Sequence, residues 1–337
     1  MRKEIVFAIV FGSILGLIVA FGIWRVNSAI SPKEDSGGKT EASPTPVSGF
    51  LISLAKPEEN DVVTSSPMEV NGLTKANARV AVSGQEEDYL TSANDQGLFS
   101  ESVDLTGGIN QILFTSFDGT GGIATTKVLV VYSSEFKKII DNLTAGSTSK
   151  TATDEADSVR ERVEKKVEEA LNKPKAYLGL VSDISETTIE LKSATGEIQQ
   201  VGVAEDAIFI KDGTPVRTVD FKDLAIGDYI VAMGFKNGNA VLNARRILIT
   251  QPPATLNRQA LNGKVQRLTK NDFSLIFPNN QGEPVILPEK NSGYFSFSGG
   301  QVVRARFTDI KEGTEVVVFG VKSEKSFSAR TVFIVNP

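Results

Sequence analysis

The sequence predicts a mainly β chain behind one N-terminal transmembrane helix, built as a β-sandwich, a charged linker helix and two tandem small antiparallel β-barrels. Three observations carry this. Ile5–Trp24 is an apolar run without a charge. Residues 49–133 break into short alternating apolar runs separated by Gly, Asn, Asp and Pro. Residues 176–249 and 260–334 repeat one another.

The run Ile5–Trp24 would make a helix of roughly 30 Å, the thickness of a bilayer's hydrocarbon core. Arg2 and Lys3 precede it and Arg25 closes it, so residues 1–25 read as the anchor. Cationic residues near a span stay in the cytoplasm. The expectation is a single-pass protein of the cell membrane, N-terminus cytoplasmic and C-terminal domains extracytoplasmic, with membrane lipid as its first partner. A cleaved signal peptide is the competing reading; its apolar core would run about 7–15 residues, shorter than this one. Ala8, Gly12, Gly16 and Ala20 recur every fourth residue and mark one face for helix–helix contact, a route to self-association through the span.

Composition removes several chemistries. The chain has no Cys and no His, so disulfides, thiolate metal sites and the usual general base are absent. Net charge is −5. It is uneven: residues 49–133 hold 4 basic and 11 acidic side chains, net −7, and residues 260–337 hold 10 basic and 7 acidic, net +3. An acidic ectodomain argues against general nucleic-acid binding, which requires a basic surface.

Residues 26–48, rich in Ser, Pro, Gly and charge, read as a flexible linker. In 49–133, alternation in Phe50–Leu54, Met68–Val70, Ala78–Val82, Gly97–Ser100, Gln111–Thr115 and Lys127–Tyr132 predicts about seven strands of an antiparallel sandwich. Pro57, the stretch Ser66–Gly72, Ala78-Arg79-Val80, Asn94–Phe99, the Leu105–Asn110 turn and Asp118-Gly119 are similar to bacterial immunoglobulin-like domains of the glucodextranase accessory type. The resemblance implies an Ig-like fold and an extracellular setting, not a chemistry. Asp95, Glu101, Asp104 and Asp118 raise a calcium reading, but their spacing is not that of an EF-hand, and Asp-Gly pairs are ordinary turn sequences. No metal and no cofactor is expected.

Residues 134–174 read as linker and charged helix. Glu135–Leu143 could start a short helix; 154–172 is a longer one, capped at Ser158 and stopped by Pro174, with a thin stripe of Val159, Val163, Val167 and Leu171. It suits a spacer or a helix docked on a neighbouring barrel; a self-associating seam is the other reading, though the stripe is short and its period is 4 rather than 3.5.

The repeat occupies 175–250 and 260–337. Gly179-Leu180-Val181 aligns with Gly263-Lys264-Val265, Phe209 with Phe295, Phe221–Gly227 with Phe307–Gly313, Gly234 with Gly320, and Ala244-Arg245 with Ala329-Arg330. Each copy has about six alternating runs, which predicts a closed antiparallel barrel of OB-like or SH3-like kind. Both copies resemble a bacterial β-barrel family of unknown function found in exported proteins and marked by an Asp-Leu-x-x-Gly-Asp turn, here Asp223–Asp228; the second copy departs from it at Asp309–Thr314. That family brings no site. Asp223 and Asp309 are read as turn organisers, with Gly227 and Gly313 supplying unusual backbone angles.

No catalytic residue is expected. A carboxylate-pair hydrolase requires two acids flanking a cleft, and small barrels rarely offer one. The function expected is that of a non-catalytic, membrane-anchored cell-surface protein for binding or envelope architecture. The alternative is a surface receptor for carbohydrate or single-stranded nucleic acid, using the C-terminal barrel through Tyr294, Phe297, Arg304 and Arg306. The sequence leaves the protein or glycan partner open, as it does the relative positions of the modules.

Overall fold

A computed structural model describes residues 50–145, 173–237, 239–254, 257–278, 284–323 and 326–335. The apolar run Ile5–Trp24 with Ala8, Gly12, Gly16 and Ala20, the linker 26–48 and the charged helix 154–172 lie outside the described residues. Among the described residues no helix is long and apolar enough to cross a membrane. The fold is mainly β, and the described residues fall within one compact unit.

The sandwich uses β1 (Ser53–Lys56), β2 (Asp61–Val63), β3 (Met68–Leu73), β4 (Arg79–Ser83), β5 (Asp88–Ser92), β6 (Leu98–Val103), β7 (Gly108–Phe117) and β8 (Ile123–Tyr132). One layer runs β1-β3-β6; the other runs β2-β8-β7-β4-β5. Strand period two sends Met68 and Val70 of β3, Val80 and Val82 of β4, and Ile112 and Phe114 of β7 into a shared core. The opposite faces of β4, β5 and β7 carry Ala81, Leu90 and Phe117, which are also buried. That second apolar face is the first sign that the sandwich is covered.

After β8, helix α1 (Ser134–Ala145) follows Ser133, whose side chain and carbonyl both accept from Phe136 N–H. The first barrel comprises β9 (Pro174–Ile184), β10 (Thr188–Lys192), β11 (Ile198–Lys211), β12 (Arg217–Val219), β13 (Tyr229–Lys236) and β14 (Leu242–Thr250). Its ring closes in the order β9-β10-β11-β14-β13, with β11 and β14 parallel and β12 an arm on β11. The second comprises β15 (Arg258–Leu268), β16 (Phe273–Ile276), β17 (Val285–Ser298), β18 (Gln301–Arg304), β19 (Glu315–Lys322) and β20 (Ser326–Val335). It closes in the same order, β15-β16-β17-β20-β19, with β18 an arm on β17.

The duplicated glycines have a duplicated cause. A Cβ on Gly234 would lie 2.0 Å from the Asn243 carbonyl oxygen, and one on Gly320 would lie 1.9 Å from that of Ser328. Each marks a register shift between the last two strands of its barrel, where one backbone bends onto the other.

One alignment shifts by a residue. Phe209 of β11 lies opposite Ile247, and the position opposite the matching Val332 is held by Tyr294, not Phe295. The ring contacts agree: Phe209 meets Phe221 at 5.6 Å, and Tyr294 meets Phe307 at 5.9 Å. The second copy has one residue more between these rings, taken up in a regular β17–β18 hairpin with a Gly299-Gly300 turn. Because a strand alternates faces, the shift turns Tyr294 toward the barrel core and Phe295 and Phe297 outward.

The sandwich layer continues into the first barrel. β2 runs parallel to β8 and meets β9 at Asp61–Lys175, with Ala176 N–H donating to Asn60 O at 2.8 Å. The modules are therefore docked, not strung out.

Candidate functional site

Both barrels present the same outer face, that of their first and last two strands. In the first barrel Ala176, Val231, Met233 and Leu248 pack on Val62 and Val131 of the sandwich and on Phe136 of α1. In the second, the matching Ala260, Val317, Phe319 and Phe333, joined by Phe297 and Val335, pack on Ala81, Leu90 and Phe117. Burial of these faces is the favourable term in docking, and ion pairs border both.

At the second seam the ionic centre is Asp88 of β5, whose side chain is fully buried. Arg330 of β20 forks onto it, with Nε donating to Oδ2 at 2.9 Å and Nη2 donating to Oδ1. Thr331 Oγ1 and Ser83 Oγ each donate at 2.7 Å. Arg330 and Arg258 also donate to the Gln85 carbonyl at 3.2 and 3.0 Å. Burial, and then the neighbouring Arg330 charge, hold Arg258 below its usual range. Asp88 thus has four hydrogen bonds, as a buried carboxylate requires. Nearby Arg79 of β4 makes a two-point pair with Glu315 of β19, one arm at 3.1 Å.

Beyond that pair the seam opens into a cleft of about 400 Å³ between the β17–β18 turn and the ends of β4 and β7, bordered by Arg79, Ser92, Phe117, Asp118, Phe297 and Gly300. Its charged groups are already engaged. Asp118 accepts from Thr120 N and Oγ1, Gly122 N and Lys75 Nζ. Burial pushes its carboxyl up, but these donors outweigh burial and hold it at about 2. At the first seam Lys175 lies 2.8 Å from Glu58 and 2.6 Å from Asp61. Lys175, then Lys173, hold Glu58 at about 2. Burial lowers Lys175, yet Asp61 and Glu58 together raise it.

The residues singled out from sequence do not make one face. Phe297 is 5% exposed and lies in the second seam. Tyr294 is half-buried against the barrel core, and burial raises its hydroxyl. Arg304 and Arg306 are exposed. The aromatic pair expected beside the two arginines is therefore split between a seam and a core by strand alternation. Three of the four acids weighed for calcium serve local roles: Asp118 closes its turn, Asp104 accepts from Tyr89 Oη at 3.1 Å, and Glu101 accepts from Ser102 N–H at 3.1 Å while burial raises its carboxyl. Among the described residues no group of three acids is placed to hold a metal ion. Asp223 accepts from Asp220 N–H and Asp309 from Arg306 N–H, both at 2.9 Å, and Gly227 and Gly313 have φ of 95° and 82°.

Sequence reasoning missed Asp88 and the role of Arg330. A signal existed in the repeat. Arg245, the counterpart of Arg330, pairs with Asp206 of its own barrel at 2.7 Å. Asn291 stands at the Asp206 position in the second copy, so its arginine lacks a carboxylate at home and takes one from the sandwich.

No family model and no curated protein matches the chain. Among solved structures it is similar to a Ca²⁺-stabilized adhesin that helps an Antarctic bacterium reach out and bind ice (14% identity, 88% of this chain and 75% of that one, TM-score 0.19). It is similar to the tetra-tandem repeat in the extending region of a large adhesion protein (14% identity, 84% and 72%, TM-score 0.21). It is also similar to a Streptococcus pneumoniae multidomain protein with nucleic acid binding domains (11% identity, 86% and 73%, TM-score 0.15). At such scores the likeness carries no functional argument.

Proposed function

We propose that this chain is a non-catalytic, membrane-anchored cell-surface protein whose Ig-like sandwich and two OB-like barrels are held outside the cytoplasm as one rigid body for binding or envelope architecture. The observation that supports it most is the use made of ionisable groups. Asp88, Arg330, Arg79, Glu315, Glu58, Asp61 and Lys175 are engaged in fastening modules to each other. Without His or Cys, and with the cleft's acid already satisfied, nothing there is poised to take or give a proton. The apolar run Ile5–Trp24 supports the anchor. The alternative receptor reading keeps two exposed arginines but no exposed aromatic platform from its four residues.

The test is protease shaving of intact cells, with the chain followed by immunoblot and detergent phase partition. The reading expects the region beyond Arg25 to be clipped without lysis and the uncut chain to enter the detergent phase. Protection until lysis, or partition of the uncut chain into the aqueous phase, would contradict it.

A further inference from the structure

The hairpin arm of the second barrel ends in an open strand edge. β18 pairs with β17 alone among the described residues. All four of its residues, Gln301-Val302-Val303-Arg304, are exposed, Val302 at 48% and Val303 at 63%. An apolar edge strand is a template for pairing unless something blunts it. The first barrel provides an internal comparison. Its matching arm, β12, has only three residues, and Pro215 stands where the second barrel has Gln301. Proline has no N–H to pair inward with β11, so the first arm stops short. Arg217 stands where the second barrel has Val303. Both arms expose a valine at the Val302 position, Val216 in the first; the first arm is shorter and carries Arg217, whereas the second is longer and regular, with two adjacent exposed valines between Gln301 and Arg304.

We infer that β18 pairs antiparallel with β18 of a second copy of this chain, with Val303 facing Val303 across a twofold axis. The backbone sets the register. Ala305 N–H donates inward to Tyr294 O, so by antiparallel alternation Val303 and Gln301 also point their backbone groups inward, and Val302 and Arg304 point theirs to the free edge. Only registers that set the outward-pointing residues against each other complete the ladder. Setting Arg304 against Arg304 opposes like charges. Setting Val302 against Val302 brings Arg304 against Gly300 and leaves Val303 without a directly opposite valine. Setting Val302 against Arg304 places Val303 opposite its own copy, covers both valines and separates the arginines. The contact is self-complementary, as a twofold interface requires. It does not rest on the membrane anchor.

The chain has no cysteine, so one introduced thiol reports on one position. Residues facing each other at a non-hydrogen-bonded antiparallel site have Cα atoms about 4.5 Å apart, within disulfide reach. Full-length Val303→Cys, Val302→Cys and Arg217→Cys proteins, in detergent, are oxidised and run on non-reducing gels. Arg217→Cys measures the background from any other association, the span included. The expected result is a disulfide-linked dimer from Val303→Cys at several times the yield of the other two. Equal yields from Val303→Cys and Arg217→Cys, or a yield from Val302→Cys matching that of Val303→Cys, would overturn the pairing.

Discussion

Arg330 reaches out of the second barrel to bind Asp88 of the sandwich through two nitrogens, across 242 positions of sequence. The equivalent arginine of the first barrel, Arg245, stays with Asp206 of its own barrel. One repeated residue thus does two jobs, depending on where its carboxylate comes from.

Removing one partner of a buried pair leaves the other unpaired, at a cost of about 3–5 kcal/mol. Asp88→Ala and Arg330→Ala are each expected to lower stability by that order, while the same change at Arg245, whose partner Asp206 is 67% exposed, costs about 1 kcal/mol or less. Urea unfolding of the three variants checks the contrast. Equal losses at Arg330 and Arg245 would refute it.

Gly234→Ala and Gly320→Ala each place a methyl group within about 2 Å of a carbonyl oxygen. The strand pair must separate at that point, and the expected loss is roughly 3 kcal/mol or more. Thermal unfolding decides it; a midpoint within a degree of the parent would contradict the packing described.

The acid side of the stability curve has a named contributor. The Asp118 carboxyl has an ordinary value of 3.8 and is held at about 2 in the fold. A depressed carboxyl stabilises the fold fully above its unfolded value and loses that contribution as pH falls through the folded one. The window is therefore pH 3.8 down to about 2, and the contribution is on the order of 2 kcal/mol. Asp118→Asn should lower stability at pH 7 and flatten the slope within that window. A variant with the parent's stability at pH 7 and the parent's slope between pH 3.8 and 2 would rule the carboxylate out.

Phe297 tests the assignment of the outward face. Phe297→Ala should cost about 3–5 kcal/mol as a core truncation does. A glycan array and a single-strand nucleic-acid titration with parent and variant provide the second readout. A stable variant that loses ligand binding would restore the receptor reading in place of the seam.

Strand alternation made much of the β architecture legible. The runs around Met68–Val70 and Gln111–Thr115 fall in β3 and β7, and the shared Gly234 and Gly320 revealed the duplication. The seams were less legible for two physical reasons. A one-residue addition between Tyr294 and Phe307 inverts the faces of a strand segment, so matching Phe209 to Phe295 by type put Phe295 on the core side and left Phe297 free. Long-range partners leave no local pattern: nothing near Asp88 in the chain announces Arg330. Only the absence of an acid at Asn291, beside a repeated arginine, hinted at it. Helix α1 could be read from 135–143, but its burial through Phe136 depends on the barrel beneath it.

The central claim is that the sandwich and both barrels unfold as one docked body. Differential scanning calorimetry of the full chain in detergent, beside Arg330→Ala, tests it most directly. The account predicts one cooperative transition for the parent and, in the variant, a separate earlier transition for the loosened second barrel. Independent transitions already present in the parent, with positions that Arg330→Ala leaves unmoved, would contradict it.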